Sequence, residues 1–350
     1  MKEQPFISVM ILCYNYSELL KKALTACAQQ TFSDFEIVMI NNGSTDDTES
    51  VFFNFCKNNP NIRTQYIKIE ENQGPTNGWN IGLKAAQGKY ILFNDADDWM
   101  EPNCLESLAT VAKSSNADRV VGQYHEVLPD GTVKRVRTIS EHSPKIPTHM
   151  LQATIFKKEI IDDNSITIPL DILVPYDAYF TFKFASLEKT KPQFVRKTIY
   201  NYFYNPYSIC RKMEKENAIL SELNNVIIIF VAITENAMKH CNDNRLKAEM
   251  EYLCIRNNYA SIVSRYRLAD KKSADKFCDI VLSEMEKHLP EYRHNKLLKP
   301  FNNGYETPGS FATWFLVKLE GISLLKPFCK LVTKFKFKKL LIESIESEKL

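Results

Sequence analysis

The sequence predicts an α/β protein with a mostly parallel sheet flanked by helices, followed by an α-helical C-terminal region. Two observations carry this prediction. Short apolar runs alternate with helical segments through residues 7–93, which is typical of parallel strands joined by right-handed crossovers. From Met213 onward, the chain consists of long helical segments without convincing strands.

Four strands are predicted in the first part of the chain. Continuous apolar runs are expected of parallel strands that are covered on both faces. Such runs occupy Ile7–Leu12, Phe35–Ile40 and Lys89–Phe93, and Thr64–Ile69 alternates.

Helices are predicted between these strands, over 18–30, from about 44 toward 57, and over 75–87. Ser17 is expected to cap the first helix. Ser44 with Asp47 fits a capping box for the second. Gly88 is expected to be the C′ residue of the third.

The chain then continues with a helix over 101–113, a hairpin of strands over 119–127 and 132–138, and a polar loop over 139–147. The turn Leu128-Pro129-Asp130-Gly131 has good chemistry for joining the two strands. Helices are predicted over 214–239, 244–267 and 272–288.

Composition favours a cytoplasmic enzyme. The 350 residues are 44% hydrophobic, and the net charge of +3 is too small to indicate nucleic acid as a partner. The nine Cys are scattered without a C-x-x-C, as expected for buried thiols in a reducing compartment. A core strand beginning at residue 7 is expected to leave no room for a signal peptide. The longest apolar run, Val226–Ile233, is far below the ~20 residues that span a bilayer.

The most informative motif is Asp95-Ala96-Asp97, which directly follows the strand Lys89–Phe93. Ligands of open α/β sheets bind just beyond the carboxyl ends of the strands. Two carboxylates at that place can hold a hard divalent cation through oxygen, and the cation can hold a diphosphate. The motif therefore predicts a metal and diphosphate site.

Three segments in this order resemble the inverting family 2 glycosyltransferases of the GT-A fold: ISVMILCYN at 7–15, FEIVMINNGSTDDT at 35–48 and NQGPTNGWNIGLKAAQGKYILFNDADD at 72–98. The resemblance covers about residues 6–210. It implies a nucleotide-sugar donor, inversion at the anomeric carbon, and Mn²⁺ or Mg²⁺ on Asp95 and Asp97. Donor contacts are implied at Cys13, Tyr14, Asn15, Asn42, Ser44, Asn80, Asp95 and Ala96.

The resemblance over residues 6–210, together with the helical pattern beyond it, predicts a division of the chain into four segments. Residues 1–100 are the nucleotide-sugar-binding half of the GT-A domain, and residues 101–212 are the acceptor-binding half. Residues 213–309 are a helical region, and residues 310–350 are a basic amphipathic tail.

Three positions depart from the family pattern. Leu12-Cys13 stands where relatives have Pro-Thr, and Trp79 stands where they have Arg near the diphosphate. Asn42 replaces the Asp that meets the base. Its amide can match the N3–H and O4 of uracil or, flipped, the N3 and amino group of cytosine, so UDP is expected first and CDP competes. Alternatively, Trp79 can be a packing residue on a helix, and Asn42 can be a turn former.

An inverting transfer needs one carboxylate to take the proton of the attacking hydroxyl. The family places it on an acidic pair that opens a helix, and Tyr176-Asp177 occupies that place here. Asp177 is therefore the predicted base, with Asp171 as the second candidate. A carboxylate that only favours the helix macrodipole is the alternative for Asp177.

The last segment holds six Lys between Lys326 and Lys339. Apolar residues recur on one helical face at Leu324, Leu325, Phe328, Leu331, Val332 and Phe335. Such a helix can lie on the anionic inner face of a membrane or pack on the protein with its basic side in water.

The predicted function is transfer of a sugar, expected from a UDP-sugar, to a hydroxyl of a glycan or lipid-linked acceptor in surface polysaccharide synthesis. The departures at Leu12-Cys13, Asn42 and Trp79 keep a second hypothesis open. In it, the chain binds a nucleotide or glycan, or scaffolds a partner, without turnover.

Overall fold

The computed structural model describes residues 4–139, 151–170, 176–208, 219–268, 270–299 and 309–334. These residues form two compact units. The first comprises residues 4–139, 151–170, 176 and 187–208, and the second comprises residues 177–186, 219–268, 270–299 and 309–334. The predicted loop over 140–147 and Asp171 lie outside the described residues.

The first unit opens with alternating strands and helices. They are β1 Ile7–Cys13, α1 Ser17–Ala28, β2 Phe35–Asn42, α2 Thr48–Asn58, β3 Arg63–Ile69, α3 Gly74–Ala85 and β4 Tyr90–Asp95. The four strands are parallel in the order β3-β2-β1-β4. The predicted parallel sheet is confirmed.

The chain then continues with β5 Trp99–Met100, α4 Cys104–Ser115, β6 Arg119–Val127, β7 Val133–Arg137, β8 Thr154–Lys157, α5 Lys158–Asp163 and β9 Gln193–Phe203. All five of these strands belong to the same sheet as β1 to β4. Strand β8 pairs antiparallel with both β4 and β6, and β9 pairs parallel with β6. The hairpin of β6 and β7 is confirmed. These pairings bring the segments around 152 and 205 close to the end of β4.

Burial explains why the first strands read as continuous apolar runs. Every residue of β2 is buried and β1 is almost entirely so, because both lie inside the sheet with helices over them. Strand β3 lies at the sheet edge and has exposed residues at Arg63 and Thr64. In α1 the predicted apolar face is buried at Leu20, Ala23, Leu24 and Cys27.

The predicted caps of α1 and α2 are wrong, and one carboxylate replaces both. Helix α1 begins at Ser17, whose N–H donates to Asp46 Oδ2 at 2.9 Å. Helix α2 begins at Thr48, whose N–H donates to Asp46 Oδ1 at 3.1 Å. Ser44 instead accepts a hydrogen bond from the turn after β1. Asp46 therefore joins the starts of two helices.

Gly88 is not the C′ residue of α3, which ends at Ala85. A Cβ at Gly88 would lie 2.4 Å from the backbone nitrogen of Ser8. Close approach of the chain to β1, rather than helix termination, requires glycine here.

Within the described residues, the second unit is helical. Its helices are α6 Tyr176–Leu187, whose first and last residues belong to the first unit, α7 Ile219–Lys239, α8 Asn244–Leu268, α9 Lys271–His288, α10 Gly309–Gly321 and α11 Leu325–Lys334. The predicted helices over 214–288 are confirmed where the structure describes them. No described helix is long and apolar enough to cross a membrane.

Candidate active site

Three carboxylates, Asp95, Asp97 and Asp98, follow one another at the carboxyl edge of the parallel strands. Asp95 ends β4 and lies opposite Leu12 of β1, so this group lies beside the turn that follows β1. Asp95 and Asp97 are partly exposed, whereas Asp98 is buried. The D-x-D motif thus lies where open sheets bind ligands.

Asp98 holds β9 in place. Its carboxylate accepts hydrogen bonds from the hydroxyl of Tyr200 at 3.0 Å and from the N–H of Phe203 at 2.8 Å. Because Asp98 is committed to these partners, the candidate carboxylates for binding a ligand are the partly exposed Asp95 and Asp97.

Each of these two carboxylates has a neutral amide partner. Asn205 Nδ2 donates to Asp97 Oδ2 at 2.8 Å, and Gln152 Nε2 donates to Asp95 Oδ2 at 3.2 Å. Sequence reasoning missed both amides. Gln152 has no sequence signal because it reaches Asp95 only through the antiparallel pairing of β8 with β4. Asn205 could have been predicted from its position in the sequence, because it lies just after the aromatic strand β9.

Negative charge accumulates at this edge. Burial raises the pKa of Asp97, although the bond from Asn205 partly offsets this. Burial, and then the charges of Asp97 and Asp95, raise the pKa of Asp98 well above its usual range. A cation placed here would relieve the repulsion among the carboxylates.

The residues present fit a divalent metal that is shared with a ligand. No three His, Cys, Asp or Glu side chains in the described part of the chain are placed to hold an ion by themselves. Mg²⁺ commonly uses one or two carboxylates together with substrate phosphates and water, and Mn²⁺ accepts the same oxygen ligands. Asp95 and Asp97 supply such oxygens, so the predicted ion fits if a diphosphate completes its coordination.

The last residue of β1, Cys13, and the turn that follows it, residues 14–16, are together named the β1 turn. Cys13 is buried and lies 3.6 Å from Thr48 Oγ1, and burial raises the pKa of its thiol to about 11. The thiol therefore stays protonated near neutral pH. Tyr14 is 42% exposed and presents its ring to solvent.

Asn15 joins the β1 turn to the turn after β2. Its φ of 55° is in the left-handed region, which Asn tolerates better than most residues. Its N–H donates to Ser44 Oγ at 3.0 Å, and its Oδ1 accepts from the N–H of Thr45 at 2.8 Å. Asn15 and Ser44, which are both predicted to contact the nucleotide-sugar, are thus in direct contact with each other.

Asn42 is 3% exposed and holds the loop before α3. Its Nδ2 donates to Asn72 Oδ1 at 3.0 Å and to Gly74 O at 3.1 Å, and its Oδ1 accepts from the N–H of Gln73 at 3.3 Å. The backbone groups fix this orientation, because Gly74 O can only accept and Gln73 N–H can only donate. Gly43 allows the close approach, since its φ is +77° and a Cβ there would lie 2.4 Å from Asn72 N.

These bonds change what Asn42 can offer a base. Both amide hydrogens are used, and only the second lone pair of Oδ1 remains. The orientation predicted for cytosine, with the amide flipped, would break the bonds to Gly74 and Gln73.

Asn80 and Trp79 lie on α3 and make structural contacts. Asn80 exchanges two hydrogen bonds with the backbone of Ile168, at 2.7 and 2.8 Å. Trp79 is 1% exposed and packs edge-on against Phe93 with 5.1 Å between ring centroids. The packing interpretation of Trp79 agrees with these contacts. Ala96 is buried between the two aspartates of the motif.

Asp177 lies in the first turn of α6, where a carboxylate also favours the helix dipole. Its Oδ1 accepts from the N–H of Ala178 at 2.8 Å. Desolvation raises its pKa to about 6, and the hydrogen bond from Ala178 only partly opposes this. Its role as the base stays a prediction.

Comparisons with known proteins agree with this geometry. Residues 8–174 match the model of the glycosyl transferase family 2. An uncharacterized glycosyltransferase of Nostoc sp. is 36% identical over 141 residues, which are 40% of this chain and 42% of that protein. The chain spans 42 to 66% of the length of the first curated relatives it matches.

Two solved structures share the fold. Residues 1–349 of Staphylococcus aureus TarS, in complex with UDP-GlcNAc, superimpose with a TM-score of 0.70 at 16% identity, covering 95% of this chain and 92% of that one. The mannosyltransferase PcManGT of Pyrobaculum calidifontis, in complex with GDP-Man and Mn²⁺, gives a TM-score of 0.53 at 13% identity, covering 92% and 88%. The predicted GT-A fold with its C-terminal helices is confirmed. Residues 8–174 are therefore similar to glycosyl transferase family 2, and the chain shares the fold of these two glycosyltransferase structures.

Proposed function

We propose that the chain is an inverting glycosyltransferase that moves a sugar from a UDP-sugar to a hydroxyl of a glycan or lipid-linked acceptor. The observation that carries this proposal is the partly exposed pair Asp95 and Asp97 beside the β1 turn, in a domain of family 2. The TarS structures with UDP and UDP-GlcNAc support the choice of donor.

In this proposal Asp95 and Asp97 would hold Mn²⁺ or Mg²⁺, and the ion would supply charge neutralisation for the leaving diphosphate. The backbone of the β1 turn and Ser44 line the nucleoside. Tyr14 offers an exposed ring beside them. The amides of Asn205 and Gln152 keep the two carboxylates oriented.

The transfer itself is a single displacement. Asp177, as a carboxylate, takes the proton of the acceptor hydroxyl. The hydroxyl oxygen forms a bond to the anomeric carbon while the bond from that carbon to the diphosphate oxygen breaks, with inversion and through an oxocarbenium-like state. UDP leaves with the electron pair, and no covalent intermediate with the enzyme is needed.

The hydrogen bonds of Asn42 favour uracil over cytosine as the base of the nucleotide. Its remaining lone pair on Oδ1 can accept from uracil N3–H, whereas cytosine N3 is an acceptor and would need one of the amide hydrogens, which are both used. We expect UDP to raise the melting temperature most in a thermal-shift panel of UDP, CDP and GDP with MnCl₂. A ligand at 100 times its Kd adds about 2.7 kcal/mol of stability.

The control for this panel is the same series in excess EDTA, where the UDP shift should become much smaller because only metal-independent binding remains. A larger shift with CDP or GDP than with UDP would contradict the base assignment. The alternative is a protein that binds the nucleotide without turnover. Slow hydrolysis of UDP-GlcNAc, measured as release of UDP in the presence of MnCl₂, would show that the chain is an enzyme.

We further propose that the enzyme acts in the cytoplasm, in surface polysaccharide synthesis, with its C-terminal tail on the inner face of the membrane. Lys326 and Lys330 of α11 pair with Asp279 and Asp275 of α9. The charge for an anionic membrane would then come from the lysines beyond α11, Lys336, Lys338 and Lys339.

Removal of residues 335–350 is expected to weaken binding to phosphatidylserine vesicles and to leave UDP binding intact. Each Lys near such a surface contributes about 1 kcal/mol. A cut at residue 309 would be a poor test, because it removes α10, whose Ala312 and Leu316 are buried and whose Glu320 binds Tyr292 at 2.8 Å. Vesicle co-sedimentation over a salt series is the measurement, with phosphatidylcholine vesicles as the control. Equal binding by the full and shortened chains would exclude the membrane role.

A further inference from the structure

A short segment after β9, residues 205–207, contacts both sides of the proposed donor site. Asn205 is 3% exposed and donates from Nδ2 to Asp97 Oδ2 at 2.8 Å. Its Oδ1 accepts from the N–H of Tyr207 at 2.9 Å. The carbonyl of Tyr207 in turn accepts from the hydroxyl of Tyr16, in the β1 turn, at 3.3 Å. Three consecutive hydrogen bonds thus connect Asp97 with the β1 turn.

The chemistry of this connection suits a carboxylate that has to bind a cation. A Lys or Arg at position 205 would neutralise Asp97, but the amide of Asn205 is neutral and leaves the full negative charge for a metal. The amide also fixes the orientation of the carboxylate, because its own oxygen is held by the backbone of Tyr207. Partners of this kind orient ligating carboxylates in metal sites.

The position of the segment is itself fixed. Asp98 binds Tyr200 and the N–H of Phe203, which anchors the end of β9 two residues before Asn205. Asn205 therefore approaches Asp97 from a strand that is tied to the neighbouring carboxylate. Tyr16 and Tyr207 connect the β1 turn with Asp97 in addition to the pairing of β1 with β4.

We propose that Asn205 is a positioning residue that holds Asp97 for a divalent cation and, through Tyr207 and Tyr16, couples binding of that cation to the β1 turn. This inference rests on the proposed function, because it takes Asp97 as a metal ligand in a nucleoside-diphosphate site.

The test is isothermal titration of the full chain with MnCl₂ at saturating UDP, and with UDP in the presence and absence of MnCl₂. Asn205→Ala is expected to weaken Mn²⁺ binding about 10- to 100-fold and to leave UDP binding in EDTA unchanged. Tyr16→Phe removes only the hydroxyl that contacts Tyr207, and is expected to reduce the factor by which Mn²⁺ tightens UDP binding.

Asn201→Ala is the matched control. Asn201 is a buried amide on β9 that donates to Glu101 Oε1 at 2.7 Å rather than to the carboxylates of the motif. Its loss should leave Mn²⁺ affinity unchanged, and circular dichroism checks the folding of each variant.

Two outcomes would overturn the inference in distinguishable ways. Wild-type Mn²⁺ affinity in Asn205→Ala, or an unchanged Mn²⁺ effect on UDP in Tyr16→Phe, removes the positioning role and leaves the proposed function standing. If Mn²⁺ does not tighten UDP binding in the unmodified chain, the proposed function and the inference fail together.

Discussion

Replacing Asp177 with Asn is expected to lower the rate of sugar transfer by about 10²–10⁴-fold, which is the usual contribution of a general base. An amide keeps the size of the carboxylate but cannot take the proton of the acceptor hydroxyl. Binding of UDP and Mn²⁺ should persist, because their proposed ligands lie within the first hundred residues. Single-turnover transfer to an identified acceptor is the measurement.

The pH dependence gives a second readout of the same residue. Desolvation raises the pKa of Asp177 to about 6, so its carboxylate form, the one that can act as a base, is lost as pH falls through 6 rather than through the usual carboxyl range near 4. We expect kcat/KM to fall below about pH 6 in the unmodified chain.

Asp163→Asn is the control, since Asp163 is an exposed carboxylate at the end of α5. Asp171→Asn tests the second candidate for the base and should have the smaller effect. A near wild-type rate in Asp177→Asn would assign the base to another residue.

Replacing Asp97 with Ala is expected to abolish Mn²⁺-dependent binding of UDP while the protein stays folded. The change removes a proposed metal ligand and leaves the donor of Asn205 without its acceptor, at a cost of about 1–3 kcal/mol. It also removes a negative charge beside the buried Asp98, which offsets part of that cost. Calorimetric titration with UDP and MnCl₂, together with a melting curve, measures both effects.

Asp163→Ala serves as the matched control for this variant, because it removes an exposed carboxylate from the same unit. If UDP, CDP and GDP bind the unmodified chain equally well in excess EDTA, the metal assignment is wrong.

The sequence by itself determined the order of β1 to β4, the helices between them and the place of the D-x-D at the end of β4. Continuous apolar runs and helical periodicity are local signals, and in a parallel sheet they suffice to place the strand ends at one edge. The order and spacing of the motifs also predicted the fold, which the comparisons confirm, and the resemblance to family 2, whose model matches residues 8–174.

Only the tertiary structure decided which side chains support the site. Asp46 caps two helices, and Asn42 holds the loop before α3. Gln152 and Asn205 reach the carboxylates through strands that are distant in sequence. Each of these depends on a hydrogen bond between segments far apart in the chain, and such a bond requires the sheet to be formed first. Local patterns cannot encode it, because the same Asn or Gln in a polar turn would look identical in the sequence.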